Sequence, residues 1–161
     1  MNPIQYGVLP ADAPHGLSGL ELMQGILSGR FPQAPICEAA HFRLAEIAEG
    51  TAVFVGTPSA DFYNPMGTVH GGWISTLLDS CMSCAVHTTI ARGQAYTTVE
   101  LKVNFVRPPL GNTGPMRAEG RVIHSGSRIA TAEGRLVDSA GKLYAHGLVT
   151  CMVFPVPSAK A

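Results

Sequence analysis

The stretch NPMGTVHGGWISTLLDSCMSCAVHTTIA, residues 64–91, decides the fold of this chain. From Gly72 onward it contains no Lys, Arg or Glu, and its apolar residues leave little room for a solvated face. This pattern is typical of a buried helix. We expect the helix to run from Gly72 until Arg92-Gly93 ends it, and the rest of the chain to pack around it.

One carboxylate, Asp79, lies inside this apolar segment. An unpaired buried carboxylate costs several kcal/mol, so we expect Asp79 to be hydrogen-bonded, protonated or placed beside a cavity. The helix begins at His70-Gly71-Gly72, where each glycine costs roughly 1 kcal/mol relative to alanine. Without a Cβ, their backbone N–H groups are open to an anion or a developing oxyanion. Together the glycines and Asp79 indicate a catalytic site.

Plainer explanations of the same residues stay open. Asp79 could be a structural aspartate bonded to a neighbouring hydroxyl, and the glycine pair could serve close packing of helix against sheet. His70 could be a structural residue at the helix start, and Asn64 before Pro65 could initiate a turn.

Composition limits the class of protein. The chain has 161 residues, which indicates one domain. Eleven basic and eleven acidic residues give no net charge, and no basic run suggests nucleic acid or a charged membrane surface. Only 14% of residues are charged and 46% are apolar, which favours a homo-oligomer that hides apolar surface. The first ten residues show no signal-peptide pattern, so we expect a cytoplasmic protein without membrane association.

The cysteines and histidines indicate no metal site. Cys81 and Cys84 form a C-x-x-C inside the apolar helix, and Cys37 and Cys151 supply no second pair. We expect buried, reduced thiols. The histidines show no spacing typical of metal ligands, so no metal is predicted.

The chain before the central helix is expected to form one short helix and two strands. Ser18 followed by Glu21 is a capping-box pattern and predicts a helix over residues 18–28. Residues 36–49 and 51–57 are predicted to be strands around a turn at Glu49-Gly50.

After the central helix the apolar period changes from 3.6 to 2. Residues 97–105 alternate as a half-buried strand that Pro108-Pro109 stops. Three more strands are predicted at 116–124, 129–137 and 142–154, joined by hairpin turns. The predicted fold is therefore α+β, with an antiparallel sheet curled around one long buried helix and an extra N-terminal helix.

The predicted organisation has three parts. Residues 1–35 form an N-terminal arm with a short helix, residues 36–154 form the sheet-and-helix domain, and residues 155–161 form a flexible tail.

The motif NPMGTVHGG at residues 64–72, with Asp79 eight residues after Gly71, resembles a group of hotdog-fold acyl-CoA thioesterases. These are the phenylacetate-degradation (PaaI-like) and 4-hydroxybenzoyl-CoA thioesterases. The hairpin GSR at residues 126–128, with the small residues that follow it, is similar to a hairpin of the same group. The resemblance covers residues 36–154.

The resemblance implies hydrolysis of a small, medium-chain or aromatic acyl-CoA to free acid and coenzyme A. No cofactor is implied beyond the coenzyme A of the substrate. It also implies a dimer with active sites at its interface, and usually a dimer of dimers.

The resemblance further implies four catalytic residues. The Gly71 N–H would polarise the thioester carbonyl, and Asp79 from the partner subunit would act as nucleophile or general base. Asn64 would position the water or the carboxylate, and His70 would hold the thioester or the helix start.

Four substrate-binding residues are implied as well: Gly72, Ser83, Thr98 and Arg128. Ser83 and Thr98 match positions where relatives carry an assisting hydroxyl, although hydroxyls on buried helices often bond back to the preceding turn. Arg128 would meet a phosphate of coenzyme A, or else be a solvated charge at a hairpin tip.

Two other functions compete with hydrolysis. A hotdog enoyl-CoA hydratase or dehydratase would carry D-x-N-P-x-H, whereas this chain has Asp61 one residue further from Asn64-Pro65 and no His after Met66. A non-catalytic acyl-CoA binder would not need Asp79. Trp73, Met82 and the apolar helix face suggest aromatic or medium-chain acyl groups.

Overall fold

The computed structural model describes residues 3–156. Its helices are α1 (Ala13–Gly16), α2 (Gly19–Leu27), α3 (Pro35–Ala39) and α4 (Gly71–His87), with a 3-10 turn at Ala60–Phe62. Its strands are β1 (Phe42–Ala48), β2 (Thr51–Gly56), β3 (Gln94–Phe105), β4 (Met116–Ser125), β5 (Ile129–Asp138) and β6 (Leu143–Pro155). Within this part of the chain, no helix combines the length and apolar character that a membrane span requires.

The six strands form one antiparallel sheet in the order β1-β2-β4-β5-β6-β3. Helix α4 contacts all six strands, so the sheet curls around it. The core lies between them, because the sheet-facing side of α4 is fully buried at Leu77, Leu78, Cys81 and Met82. The predicted architecture, including the extra N-terminal helix, is confirmed.

Three glycines allow α4 to approach the sheet closely. Gly120, Gly134 and Gly147 lie in register across β4, β5 and β6. A Cβ on Gly120 would overlap the carbonyl group of Cys81, and a Cβ on Gly134 would lie 2.7 Å from Cγ of Met82. Side chains at Gly120 and Gly134 would therefore push the helix away from the strands.

Helix α4 ends at His87, earlier than the predicted end at Arg92-Gly93. Thr88 is its C-cap residue, and the Thr88 hydroxyl donates to the carbonyl of Ala85 at 2.7 Å. The same oxygen accepts from the N–H of Gly50 in the β1–β2 turn at 2.7 Å. Threonine competes with helical hydrogen bonds in this way, and that explains the earlier end.

The N-terminal helix forms where the capping box predicted it. Ser18 caps α2, and Ser18 and Glu21 exchange the two reciprocal capping bonds. The prediction that a strand begins at Ile36 is wrong, because α3 occupies residues 35–39 and β1 begins only at Phe42. Pro35 is suited to the first turn of a helix, and His41, at φ 52°, then turns the chain into β1.

Strand β3 was predicted to be half-buried, but within one chain much of it is exposed. Val99 and Phe105 are each 55% exposed and Leu101 is 36% exposed. The sheet order explains the difference, because β3 is an edge strand with one side uncovered. A long apolar edge of this kind is suited to pairing with another chain.

The predicted tail begins later than expected. Pro155 still belongs to β6, and the N–H of Val156 donates to the carbonyl of Gly93 at 2.8 Å. The remainder of the predicted tail, residues 157–161, lies outside the described residues, and the division into arm, domain and tail stays a prediction.

Candidate active site

The middle of α4 places Asp79 against strand β3. The hydroxyl of Thr98 donates to Oδ1 of Asp79 at 3.0 Å. Asp79 is half-buried, and its Oδ2 accepts no hydrogen bond from any of the residues that the structure describes. One carboxylate oxygen is therefore fixed by the fold, and the other is free to meet water or substrate.

A cavity of about 250 Å³ opens beside Asp79. Ser83, one turn further along α4 and buried, also lines it. The rest of its wall is mainly apolar. It comes from α2, from β1 and β2, and from the segment between α2 and β1, and it includes Met23, Ile26, Leu44 and Phe54. The structure therefore places Asp79 and Ser83 on the wall of an apolar cavity, and Thr98 contacts Asp79.

The other ionisable groups of the cavity wall are held neutral. Burial raises the pKa of Cys37 to about 11 and that of Cys84 to about 12. Burial also raises the pKa of the Tyr96 phenol, and it lowers the pKa of His87 to about 4. Near pH 7 these residues are a protonated thiol pair, a phenol and a neutral imidazole, so the wall provides no positive charge. No group of three or more His, Cys, Asp and Glu side chains in residues 3–156 is placed to hold a metal ion.

The start of α4 is a second polar feature. His70 is the N-cap residue, and its Nδ1 accepts from the Gly72 N–H at 2.8 Å. The first four N–H groups of a helix have no partner within it. Among the described residues, the Gly71 N–H meets no acceptor. The Gly71 N–H is therefore open, as expected. The Gly72 N–H is not, because it donates to the side chain of His70.

Both glycines at the helix start have side chains close to where a Cβ would lie. A Cβ on Gly71 would lie 3.1 Å from the ring of Phe105, and one on Gly72 would lie 2.9 Å from Nδ1 of His70. His70 is exposed and acts here on the helix start. Its contact with a substrate stays a prediction.

Arg107 is a feature of this region that the sequence reasoning missed. Together with Gly71 and Phe105 it lines a small cavity of about 300 Å³ at the helix start. Its guanidinium lies 5.6 Å from the centre of the Tyr144 ring, and its buried Nη1 has no hydrogen-bond partner among the described residues. A single arginine between Val106 and Pro108 carries no recognisable sequence signal.

Asn64 organises the loop before α4. Its Oδ1 accepts from the N–H of Met66 at 2.9 Å, and its Nδ2 donates to the hydroxyl of Thr68 at 2.9 Å. These bonds hold the turn that leads to His70. The structure therefore supports the turn-forming role, and a role for Asn64 in positioning water stays a prediction.

Arg128 lies on the exposed hairpin between β4 and β5, apart from the Asp79 cluster. Its carbonyl accepts from the N–H of Val153 at 2.8 Å, which fixes the hairpin but leaves the guanidinium in solvent. Contact with a coenzyme A phosphate stays a prediction.

Trp73 and Met82 do not shape the cavity beside Asp79, contrary to expectation. The indole N–H of Trp73 donates to the carbonyl of Ala40 at 2.8 Å, and Met82 is fully buried against the glycine row. The cavity wall instead includes Met23 and Ile26 of α2, which the sequence did not single out.

The two polar features do not meet within one chain. Gly71 and Asp79 are eight residues apart on α4, which corresponds to roughly 12 Å along a helix axis. One carbonyl carbon cannot lie within reach of both groups. A site that uses both needs a second copy of the chain.

Comparison with known proteins places these features in a family. The family model of the thioesterase superfamily matches residues 66–145. A solved structure of the phenylacetic acid degradation protein PaaI from Thermus thermophilus is 31% identical, with a TM-score of 0.65, and the match covers 73% of this chain and 97% of that one. A phenylacetic acid degradation-related protein from Ralstonia eutropha is 26% identical, with a TM-score of 0.73, over 80% of this chain and 97% of that one.

Curated sequences agree over a shorter segment. A provisionally named esterase of Saccharolobus solfataricus is 34% identical over 88 residues, which is 55% of this chain and 57% of that protein. The chain spans about half the length of the curated relatives it matches. The residues matched by the family model contain the helix start, Asp79 and Thr98.

Proposed function

Because the chain belongs to the thioesterase superfamily, whose members fold as a hotdog, we propose that it hydrolyses an acyl-CoA to the free acid and coenzyme A. The observation that carries the proposal is the Asp79 carboxylate, fixed by Thr98 and bordering an apolar cavity. Such a cavity accepts an acyl group, and a carboxylate at its border is placed to act on the thioester carbonyl.

The proposed chemistry needs water and two groups of the protein. The Gly71 N–H donates to the thioester oxygen and stabilises the negative charge that develops there. In the general-base route, Asp79 removes a proton from water as the water oxygen attacks the carbonyl carbon. The C–S bond then breaks, and the thiolate of coenzyme A leaves and takes up a proton. Coenzyme A enters only as part of the substrate.

Asp79 could instead attack the carbonyl itself. The C–S bond would break to leave an acyl-aspartyl anhydride, which water would then hydrolyse. After a single turnover in water labelled with oxygen-18, a product acid without the label identifies the nucleophilic route. In the nucleophilic route, water attack at the aspartyl carbon leaves the product acid with an oxygen from the protein, whereas the general-base route always places a water oxygen in the product.

Two copies of the chain would complete the site by pairing their β3 edges. Asp79 contacts Thr98 in the first half of β3, and Gly71 packs against Phe105 at the last residue of the strand. Antiparallel pairing of two β3 strands about a two-fold axis near Leu101 would bring Thr98 of one copy close to the position of Phe105 in the other. Each Asp79 would then approach the Gly71 N–H of its partner. A homodimer is therefore part of the proposal, and the family resemblance adds a dimer of dimers.

The remaining predicted residues take supporting roles in this proposal. Thr98 orients Asp79, and Ser83 offers a hydroxyl to the bound acyl group. His70 and Asn64 hold the helix start and the loop before it. Arg128 would meet the phosphates of coenzyme A from the hairpin.

The experiment that tests the proposal measures thiol release from a panel of short, medium, long and aromatic acyl-CoAs. Wild type and Asp79→Asn are assayed side by side, because asparagine keeps the side-chain volume and removes the base. Turnover by the wild type that the variant loses supports hydrolysis. Binding of acyl-CoA without thiol release by the wild type would reject hydrolysis and favour a hydratase or a binding protein.

A further inference from the structure

The cavity beside Asp79 is closed by a part of the chain that lies outside the superfamily match at residues 66–145. Leu9, Met23 and Ile26 come from the N-terminal segment and line the cavity together with α4 residues that include Asp79 and Ser83. Met23 is 3% exposed, so the contact is part of the packed interior. Helix α2 therefore forms the wall that faces α4.

Helix α2 is anchored at the C-terminal end of α4. The N–H of Gly19 donates to the carbonyl of Ile90 at 3.1 Å, and a Cβ on Gly19 would overlap the carbonyl group of His87. Glu21, which also caps α2, forms an ion pair with Arg92 at 2.9 Å. Contacts at both the backbone and the side chains thus fix the position of α2 relative to α4.

A second anchor fixes the segment that follows α2. The Oε1 atom of Gln33 accepts from the N–H of Leu44 in β1 at 2.9 Å, and Gln33 is 7% exposed. Gln33 and Leu44 also line the cavity. Because both anchors join the N-terminal segment to the core, the depth of the cavity is set by the fold rather than by a loose arm.

We propose that α2 is the specificity-determining element of the site, with Met23 and Ile26 as the wall that limits the length of the acyl group. The inference rests on the proposed function, because it assigns this cavity to the acyl group of the substrate. The volume of about 250 Å³ sets the limit. At about 30 Å³ for each heavy atom, as for a water molecule, the cavity holds about eight carbons or one aromatic ring with a short side chain.

The lining that α4 and β3 contribute to the same cavity excludes charged acyl groups. His87, Tyr96 and the thiol of Cys84 are neutral near pH 7 for the reasons given above. An acyl group that ends in a carboxylate would therefore lose its hydration without gaining a cation. The substrate class is a neutral acyl group of medium length or with a single ring.

The test uses S-alkyl-coenzyme A thioethers with chains of two to twelve carbons, measured by isothermal titration calorimetry. These ligands cannot be hydrolysed, so the measurement does not depend on catalysis. In the wild type, affinity should rise about fourfold for each added methylene until the chain has about eight carbons, and then stop rising. Met23→Ala should move this limit to longer chains by two or three carbons.

Two further variants complete the design. Ile26→Trp should move the limit to shorter chains, which keeps the test informative if Met23→Ala unfolds. Leu27→Ala is the matched control, because Leu27 lies on the same helix but is 39% exposed and does not line the cavity. This control should keep the wild-type limit.

The outcomes separate the inference from the proposed function. An unchanged length limit in folded Met23→Ala and Ile26→Trp would overturn the role of α2, even if acyl-CoAs are hydrolysed. A limit that moves as expected in a protein that releases no thiol would support the α2 wall and reject hydrolysis.

Discussion

The start and the middle of α4 carry different chemistry on one helix. The start offers a donor, the Gly71 N–H, and its geometry comes from neighbours in sequence, since His70 caps the helix at Gly72. The middle offers an acceptor, Asp79, and its geometry comes from Thr98, nineteen residues away on another element. The donor is built by local sequence, and the acceptor is built by the tertiary fold.

The difference explains why the proposed site is divided between two subunits. A donor and an acceptor roughly 12 Å apart on a straight helix serve one carbonyl only if two helices are placed side by side. In the proposed dimer, the exposed apolar edge of β3 is the surface for that pairing. The predictions below test the donor, the acceptor and the surface that joins them.

The largest effect is expected from Asp79→Asn. Loss of the acceptor should lower kcat/KM by about 10³-fold, within the range for removal of a positioned base or nucleophile. Steady-state thiol release checks this, and circular dichroism confirms that the variant is folded. Activity within about fivefold of wild type in the folded variant would remove Asp79 from the chemistry.

The donor is tested by comparing Gly71→Pro with Gly71→Ala. Proline fits the first position of a helix, and His70 already has the extended conformation that a residue before proline prefers. Both variants add a Cβ near Phe105, but only proline removes the N–H. We expect kcat of the proline variant to be about 10²-fold below that of the alanine variant. Equal rates for the two variants would show that the Gly71 N–H does not contact the reacting carbonyl.

The exposed edge of β3, which is the proposed dimer surface, is tested by Leu101→Asp. A carboxylate placed in an apolar strand-to-strand contact loses hydration without a partner, so the dimer should dissociate more readily. We expect about a tenfold loss of activity at low protein concentration, recovered in part as the concentration is raised. Light scattering and activity are measured over the same concentration series. A monomer that keeps full activity would contradict a shared site.

The smallest effect is expected from Thr98→Val. The change removes the hydrogen bond to Asp79 and keeps the branched shape, so kcat should fall by roughly fivefold to tenfold. Thr97→Val, at the exposed neighbouring position, is the control and should leave kcat unchanged. If the two variants behave alike, the hydroxyl of Thr98 does not orient Asp79.

The sequence was sufficient for the local features of the molecule. The capping box at Ser18 predicted α2, and the apolar segment after Gly72 predicted the buried helix, because both depend on residues close in the chain. The end of that helix at His87 could not be predicted, because the Thr88 side chain bonds to the turn between β1 and β2.

The composition of the candidate site was harder to predict for the same reason. Asp79 stood out as a charge in an apolar segment, and Thr98 was suggested only by resemblance. Met23 and Ile26 gave no signal, because a cavity wall has the same sequence pattern as an ordinary helix face that packs on the core. The exposure of β3 also depends on sheet order, which alternation of residues does not determine.

The shared site is tested most directly by complementation between two inactive variants. Differently tagged Asp79→Asn and Gly71→Pro chains are co-expressed, and thiol release is measured on the mixed population. A mixed dimer holds one site with an intact Asp79 and an intact Gly71, so random pairing should restore about a quarter of wild-type activity. Activity no higher than that of the two variants purified separately would contradict a site built from two subunits.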